Sequence, residues 1–198
     1  MSRKFEIPDT ALGIGKRVFL RRPLPEDQRE FTDNIIRSRN FHQPWIVNSA
    51  SPTFFASYLL RFEHNSKGHL VCDNATGVML GVININDIMK GALQCGFLGF
   101  YAFIQHAGQG YMSEGLQLVL ERGFNQLNLH RLEANIQPRN MASRNFVKRH
   151  GFKQEGFSRR YLKIAGKWKD HERWALLKDE WQALQQQNQK VSHALDYV

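Results

Sequence analysis

The chain has 198 residues, 42 % of them hydrophobic, and a formal net charge of +9 at pH 7. This length predicts one domain over residues 1–198, or one domain with a tail, and the hydrophobic content is enough for a sizeable core. No run of about 18 apolar residues could span a membrane, and residues 1–8 lack the apolar core of a signal peptide, so we expect a cytoplasmic protein. The basic charge suggests an anionic partner, which could be a nucleotide cofactor, RNA or both, although charge alone does not exclude a merely basic solvated surface.

The two cysteines, Cys72 and Cys95, do not have the spacing of a metal site. We therefore expect two reduced thiols and no bound metal.

The first half of the chain alternates strand and helix signals. The predicted elements are a strand at 18–22, a helix at 26–39, an aromatic loop at 41–51, a helix at 52–63, and a hairpin of strands at 70–73 and 78–86.

The second half begins with an almost continuous apolar run at 93–104, which predicts a central strand buried on both faces. The elements predicted after it are an amphipathic helix at 111–124, a strand with one buried face at 131–138, a helix from Asn140 to Gly151, strands at 152–164 and 168–177, and a helix at 178–190 that frays over 185–189. This order predicts a mixed α/β fold with a mostly antiparallel central sheet and helices on both faces.

The segment from Gln105 to Gly110 connects the central strand to the next helix and contains Gly108 and Gly110. A glycine-bearing turn at a helix N-terminus presents unpaired backbone N–H groups and partial positive charge, which suits a phosphate. Ser113 occupies the place of the third glycine of a dinucleotide fingerprint, and the Gly-Lys-Ser/Thr of a P-loop is absent. From these residues alone, a phosphate site and a plain strand-to-helix turn both remain open.

The next helix begins with Asn140-Met141-Ala142-Ser143. An asparagine cap that accepts the backbone N–H of Ser143 explains Asn140 without any function. However, a helix N-terminus beside the glycine loop would line the same cleft, so structural and functional interpretations are equally supported here.

Together, these motifs resemble the GNAT superfamily of N-acetyltransferases. Gln105-x-x-Gly108-x-Gly110 is similar to the acetyl-CoA loop of that family, and Asn140-x-x-Ser143 followed by Gly151-Phe152 is similar to its second motif. Two further segments resemble the branch that acetylates the N-terminal alanine of ribosomal proteins: Phe41-x-x-Pro44-Trp45 and Tyr161-Leu162-x-Ile164-x-Gly166-x-Trp168-x-Asp170-His171. The likeness covers about residues 17–181, which we therefore expect to be the core of the domain, followed by a C-terminal tail at about 182–198.

The resemblance implies that the fourth and fifth strands, here 93–104 and 131–138, splay apart to hold the pantetheine arm of acetyl-CoA. It also implies a set of cofactor contacts: the loop amides with the pyrophosphate, backbone near Phe103 with pantetheine, and Asn140 with the cofactor arm. The cofactor-binding residues predicted in this way are Phe103, Gln105, Gly108, Gln109, Gly110, Tyr111 and Asn140.

The resemblance further implies that Ser143 lies near the thioester sulfur and protonates the departing thiolate. Many members of the superfamily carry a tyrosine for this purpose seven residues after the asparagine, but this chain has Val147 there. Because valine cannot donate a proton, the role of general acid falls to Ser143 or to water. No cysteine occupies a motif position, so we expect direct attack of the amine rather than an acyl-cysteine intermediate.

A general base is not evident from the sequence. Five residues qualify by type alone, and for each we favour the interpretation of a surface or sheet-edge polar group: Asp87, His106, Asp170, His171 and Glu172. A strong base is not obligatory, since an α-amine with a pKa of about 7.7–8.0 is partly neutral near pH 7.

The resemblance implies acetyl transfer to the N-terminal alanine of a small-subunit ribosomal protein, and this acceptor suggests association with the ribosome. We expect no membrane partner, since the chain has no long apolar run. One alternative keeps the scaffold and changes the acceptor to a small-molecule amine or another protein. A second alternative is a basic ribosome- or RNA-associated factor without turnover, whose affinity for RNA would fall steeply with salt.

Overall fold

A computed structural model describes residues 5–195 of the chain, with side chains up to residue 190. Within these residues, eight strands form one sheet in the order β1-β2-β3-β4-β5-β6-β8-β7. Their bounds are Gly13–Ile14 (β1), Val18–Arg21 (β2), Leu70–Asp73 (β3), Met79–Met89 (β4), Cys95–Ala102 (β5), Arg131–Ile136 (β6), Lys153–Ile164 (β7) and Lys167–Leu177 (β8). All neighbouring strands are antiparallel except β5 and β6. The mixed, mostly antiparallel sheet is therefore confirmed.

In the described part of the chain, five α-helices surround the sheet: Gln28–His42 (α1), Pro52–Leu60 (α2), Tyr111–Glu121 (α3), Met141–Arg149 (α4) and Lys178–Leu195 (α5). A π-helical turn at Arg122–Gln126 extends α3. The predicted fraying over 185–189 is wrong, because α5 continues through these residues. Its first turns are anchored by Trp181, whose ring packs 5.3 Å from that of Phe124. The last residues of the predicted tail, 196–198, lie outside the described residues.

The helices cover both faces of the sheet, as the sequence predicted. On one face, buried side chains of α1 and α2, including Phe31 and Phe55, pack against β2, β3 and β4. On the other face, α3, α4 and α5 contribute Leu116, Val147 and Trp181 to a second buried cluster. Burial of this apolar surface is the main source of stability of the fold.

The sheet divides in its middle. Strands β5 and β6 are paired only through three parallel positions, Cys95 to Phe97 opposite Arg131 to Glu133. Beyond them β5 continues along β4 as far as Ala102, while β6 continues along β8 as far as Ile136. The two strands therefore diverge into a V-shaped cleft, and they are the pair predicted to splay.

This divergence corrects one detail of the sequence prediction. The central strand was expected to be buried on both faces along its whole length, yet β5 is half-buried from Gly99 to Ala102. The loss of β6 as a neighbour leaves this part of the strand open to the cleft.

Candidate active site

The loop from Gln105 to Gly110 connects β5 to α3 and is shaped by its two glycines. Gly108 and Gly110 have φ angles of +75° and +82°, a backbone conformation that glycine adopts without strain. A Cβ on Gly108 would meet no atom within 4 Å. The backbone therefore borders open space here, as a cradle for a ligand requires.

The loop also supplies hydrogen-bond donors. The backbone N–H groups of Gly108, Gln109, Gly110 and Tyr111 have no acceptor among the described residues. The last two belong to the N-terminus of α3, where the helix dipole adds partial positive charge. The Gln109 side chain donates to the Gln105 carbonyl at 3.1 Å and stiffens the loop. This arrangement fits an anionic group such as a pyrophosphate.

Arg17 adds a full positive charge to this loop. Its Nη1 donates to the Gln109 carbonyl at 3.2 Å, and its guanidinium carbon lies 4.7 Å from the centre of the Tyr111 ring. Glu114 holds it in place, with Oε2 at 3.1 Å from Arg17 Nε. Burial alone would raise the pKa of Glu114, but the hydrogen bonds from Arg17 lower it overall. Sequence analysis missed Arg17, because nothing in the spacing connects it to a loop that lies far along the chain.

The resemblance implies that pantetheine pairs with the backbone near Phe103, but the backbone groups of Phe103 itself are already paired within the chain. The Phe103 N–H donates to the Leu80 carbonyl at 3.0 Å, and the Phe103 carbonyl accepts from His106 N–H. The Phe103 ring is fully buried. Since backbone direction alternates along a strand, the N–H and C=O groups of Phe100 face the cleft, as does the C=O of Leu98, whose N–H lies at the last position paired with β6. Backbone pairing with pantetheine therefore fits Phe100 and Leu98 rather than Phe103.

Asn140 and Ser143 lie at the N-terminus of α4, beside the cleft. The Asn140 Oδ1 accepts the backbone N–H of Ser143 at 3.2 Å and so caps the helix. The Nδ2 amide of Asn140 is left to donate to a ligand. The Ser143 hydroxyl makes no hydrogen bond within the described part of the chain, so it is free to act as a donor.

A cavity of about 120 Å³ occupies the V. It is lined by residues of β5, β6, α4, β8 and the loop that follows α1: Trp45, Ile46, Leu98, Gly99, Phe100, Ala134, Asn135, Ile136, Gln137, Asn140, Ser143 and His171. The buried Oδ1 of Asn135 has no hydrogen-bond partner among the described residues, which marks a place for a ligand donor. The Gln137 Nε2 donates to the Trp45 carbonyl at 3.0 Å and fixes the loop over the cleft.

The five residues considered as candidate general bases differ in their exposure to solvent. Asp87 and Asp170 are exposed, and His106 lies half-buried in the turn that precedes the glycine loop. His171 and Glu172 are both buried, so the expectation of a surface position is wrong for these two.

Glu172 is committed to structural contacts. Its Oε2 accepts from Trp174 Nε1 at 3.0 Å and lies 2.8 Å from Arg144 Nε. Val147, at the position of the family tyrosine, is completely buried in the core. Both polar contacts of Glu172 are therefore with other side chains of the fold, and Val147 offers no group that could donate a proton in the cleft.

Comparison with known proteins agrees with this geometry. The chain belongs to the GNAT acetyltransferase family, since the family described as "Acetyltransferase (GNAT) domain" matches residues 17–153. It is therefore an N-acetyltransferase whose acetyl donor is acetyl-CoA.

Among curated relatives, "Probable N-acetyltransferase YjcK" of Bacillus subtilis (strain 168) is 30% identical over 172 residues, covering 82% of this chain and 95% of the relative. The "[Ribosomal protein uS5]-alanine N-acetyltransferase" of Escherichia coli (strain K12) is 27% identical over 174 residues, covering 83% and 90%. The structure "Mycobacterium smegmatis RimJ in complex with CoA-disulfide" shares the fold, with a TM-score of 0.75 and 24% identity over 82% of this chain and 83% of that one.

Two further findings concern the described residues only. None of their helices combines the length and the apolar character needed to cross a bilayer. They contain no group of three or more His, Cys, Asp or Glu side chains that could hold a metal ion.

Proposed function

We propose that the protein transfers the acetyl group of acetyl-CoA to the N-terminal alanine of a small-subunit ribosomal protein. The observation that carries this proposal is the shape of the cleft. It is crossed by the loop that follows α1 and bordered by the β7–β8 hairpin, and its lining among the described residues contains no carboxylate. An extended peptide N-terminus with a single ammonium group suits such an opening.

The surroundings of the opening support a peptide over a polycation. The hairpin carries exposed apolar side chains that can contact a peptide: Phe157, Tyr161, Leu162 and Trp168. Arg139, Lys169 and Asp170 line a second cavity, of about 560 Å³, beside Trp45. Its cations outnumber its carboxylates, so it disfavours a polyamine.

The relatives suggest the same acceptor. The E. coli relative is named for the alanine of ribosomal protein uS5. A structural neighbour described as a RimL ribosomal L7/L12 alpha-N-protein acetyltransferase in complex with coenzyme A shares the fold with a TM-score of 0.73 at 20% identity, over 86% of this chain and 99% of that one. A spermidine N-acetyltransferase from Vibrio cholerae shares the fold as well, with a TM-score of 0.69 at 18% identity, over 83% and 95%. The fold alone therefore does not select the acceptor.

In this proposal some residues bind and orient acetyl-CoA, and others take part in the transfer of the acetyl group. The backbone amides from Gly108 to Tyr111 hold the pyrophosphate, and Gln105 braces them. The edge of β5 at Phe100 and the Asn140 amide orient the pantetheine arm. Acetyl-CoA supplies the thioester that the neutral amine attacks. The Ser143 hydroxyl donates a proton to the departing sulfur.

The proposal is tested by offering the purified protein acetyl-CoA with four separate acceptors: peptides with the N-terminus of uS5 or of L7/L12, spermidine and free lysine. Thiol release measures turnover. We expect kcat/KM for the uS5 peptide to exceed that for spermidine by at least about 100-fold, a discrimination that needs only about 2.7 kcal/mol. A preference for spermidine or lysine would overturn the assignment of the acceptor.

A further inference from the structure

His171 lies on the acceptor side of the cleft. In the pairing of β6 with β8, Ile136 is opposite Glu172, and Glu172 points to Arg144 of α4. Since successive side chains of a strand alternate between faces, His171 lies on the face opposite α4. Gln137, next to Ile136, shares that face and holds the loop at Trp45. Ser143 of α4 therefore approaches the cleft from one side and His171 from the other.

The protonation of the His171 ring is set by its own strand. Its Nδ1 lies 3.0 Å from the carbonyl oxygen of Lys169. A carbonyl oxygen can only accept, so Nδ1 carries the proton and Nε2 carries a lone pair. The ring is 2 % exposed and lines the cleft cavity. A buried, oriented Nε2 lone pair is what a proton acceptor requires.

The groups around the ring keep it neutral. Burial lowers the pKa of His171, while the Lys169 carbonyl and the Asp170 carboxylate oppose this shift without reversing it. From β7 the Tyr161 ring faces it at 5.9 Å between centroids, and the Arg173 cation lies on the same face of β8, two residues away. From α4, the cavity is lined by Asn140 and Ser143, which carry no charge near pH 7.

We propose that His171 is the general base of the acetyl transfer, which rests on the proposed function above. As the amine nitrogen forms its bond to the thioester carbon, it gives one proton to Nε2 of His171. The C–S bond breaks, and the sulfur takes the proton of the Ser143 hydroxyl. Solvent then removes the proton from the imidazolium and returns one to the serine oxygen. The sum is one amide and one free thiol, with no oxidant or reductant.

The test compares His171→Asn with a matched variant, His150→Asn. Asparagine retains a donor for the Lys169 carbonyl but cannot accept the proton of the amine. His150 likewise holds a backbone carbonyl through Nδ1, at 2.8 Å from the Phe146 oxygen, but it does not line the cleft cavity. We expect His171→Asn to lower kcat about 100-fold or more, with the Kd for coenzyme A within about twofold of wild type. His150→Asn retains the wild-type rate.

Two further readouts separate a base from a structural residue. Added imidazole restores part of the rate of His171→Ala, since the small base enters the space left by the ring. Independently of activity, nitrogen-15 NMR of the protein shows His171 in the Nδ1–H form, titrating below free histidine. An unchanged kcat in His171→Asn, or an Nε2–H ring, overturns the assignment.

The same experiment distinguishes this inference from the proposed function. The variants are assayed with whichever of the four acceptors the wild type acetylates fastest. If that acceptor is spermidine or lysine, the proposed peptide acceptor fails while His171 is still judged by its own rate. If the wild type acetylates none of the four, both proposals fail.

Discussion

The side-chain oxygen of Asn140 accepts the backbone N–H of Ser143 at 3.2 Å. One residue thereby caps α4 and fixes the position of the next polar side chain in the cleft. The cap satisfies a backbone donor that would otherwise be unpaired, and it leaves the amide group of Asn140 and the hydroxyl of Ser143 available to ligands. Helix initiation uses the side-chain oxygen of Asn140, and the proposed contacts with acetyl-CoA use the two polar groups that remain.

Replacing Ser143 by alanine separates these uses, because the cap involves the backbone N–H and not the hydroxyl. We expect kcat to fall about 10- to 100-fold while the Kd for coenzyme A changes less than about twofold, as for an interaction made only in the transition state. Ser57→Ala, which removes a hydroxyl bonded to the Thr53 carbonyl on α2, serves as the control. Steady-state kinetics and calorimetry measure both quantities. An unchanged kcat would assign the acid to water.

Gly108→Val fills the open cradle of the loop. The matched control is Gly166→Val in the β7–β8 turn, since Gly166 has φ +77° and also borders open space. Both variants place a branched side chain at positive φ, so we expect each to lose about 1–2 kcal/mol of stability. Only Gly108→Val should lose affinity for coenzyme A, by at least about 100-fold in calorimetry. Equal affinities in the two variants would contradict the pyrophosphate site.

Arg17→Gln removes the positive charge beside the loop, and Lys16→Gln makes the same change of charge one residue earlier at an exposed position. Arg17 is itself partly exposed, so solvent screens its charge, and we expect that charge to contribute about 1 kcal/mol to the binding of coenzyme A. We expect the Kd for coenzyme A to rise roughly threefold to tenfold in Arg17→Gln, and to depend less on salt than in the wild type. If Lys16→Gln raises the Kd for coenzyme A as much as Arg17→Gln does, the loss of affinity comes from the lower net charge and not from the position of Arg17 beside the loop.

His69 predicts how stability depends on pH. The ring is fully buried, donates from Nδ1 to the Ile83 carbonyl at 2.9 Å and accepts from Arg122 at 3.1 Å. Burial lowers the pKa of His69 to about 4, below the value of about 6.5 in an unfolded chain. The unfolded state therefore binds more protons between these values, and stability falls as pH falls through this window.

Denaturant unfolding at pH 7.5 and pH 5 measures this contribution of His69. We expect His69 to lower the free energy of unfolding by about 2 kcal/mol between pH 7.5 and pH 5. The difference between the two pH values should shrink by that amount in His69→Gln and stay unchanged in His130→Gln, which alters an exposed histidine. If the free energy of unfolding of His69→Gln still depended on pH as it does in the wild type, the His69 ring would be protonated in the folded state or accessible to solvent.

Local sequence patterns predicted most of the fold. The alternation over 131–138 predicted β6, which has alternately buried and half-buried side chains. Ser51-Pro52 predicted the start of α2, where the Ser51 hydroxyl accepts from Phe54 N–H. These signals succeed because caps, prolines and strand periodicity act within a few residues.

The parts that failed depend on contacts between distant residues. Nothing near Arg17 indicates Glu114, and nothing near Phe103 indicates that Leu80 accepts its N–H. The burial of His171 also arises from residues far along the chain, since it lines a cavity together with Trp45 and Phe100. Likewise, α5 persists through 185–189, where the polar run of glutamines favours fraying, because Trp181 docks its first turns on Phe124.

The central claim is that this enzyme acetylates the α-amine of a protein N-terminus, and mass spectrometry tests it most directly. Unacetylated small-subunit ribosomal proteins are incubated with the enzyme and acetyl-CoA, and each new acetyl group is located by fragmentation. The account predicts one acetyl group on an N-terminal alanine, absent when Gly108→Val replaces the wild type. Acetyl groups found only on lysine side chains, or on none of the proteins, would contradict it.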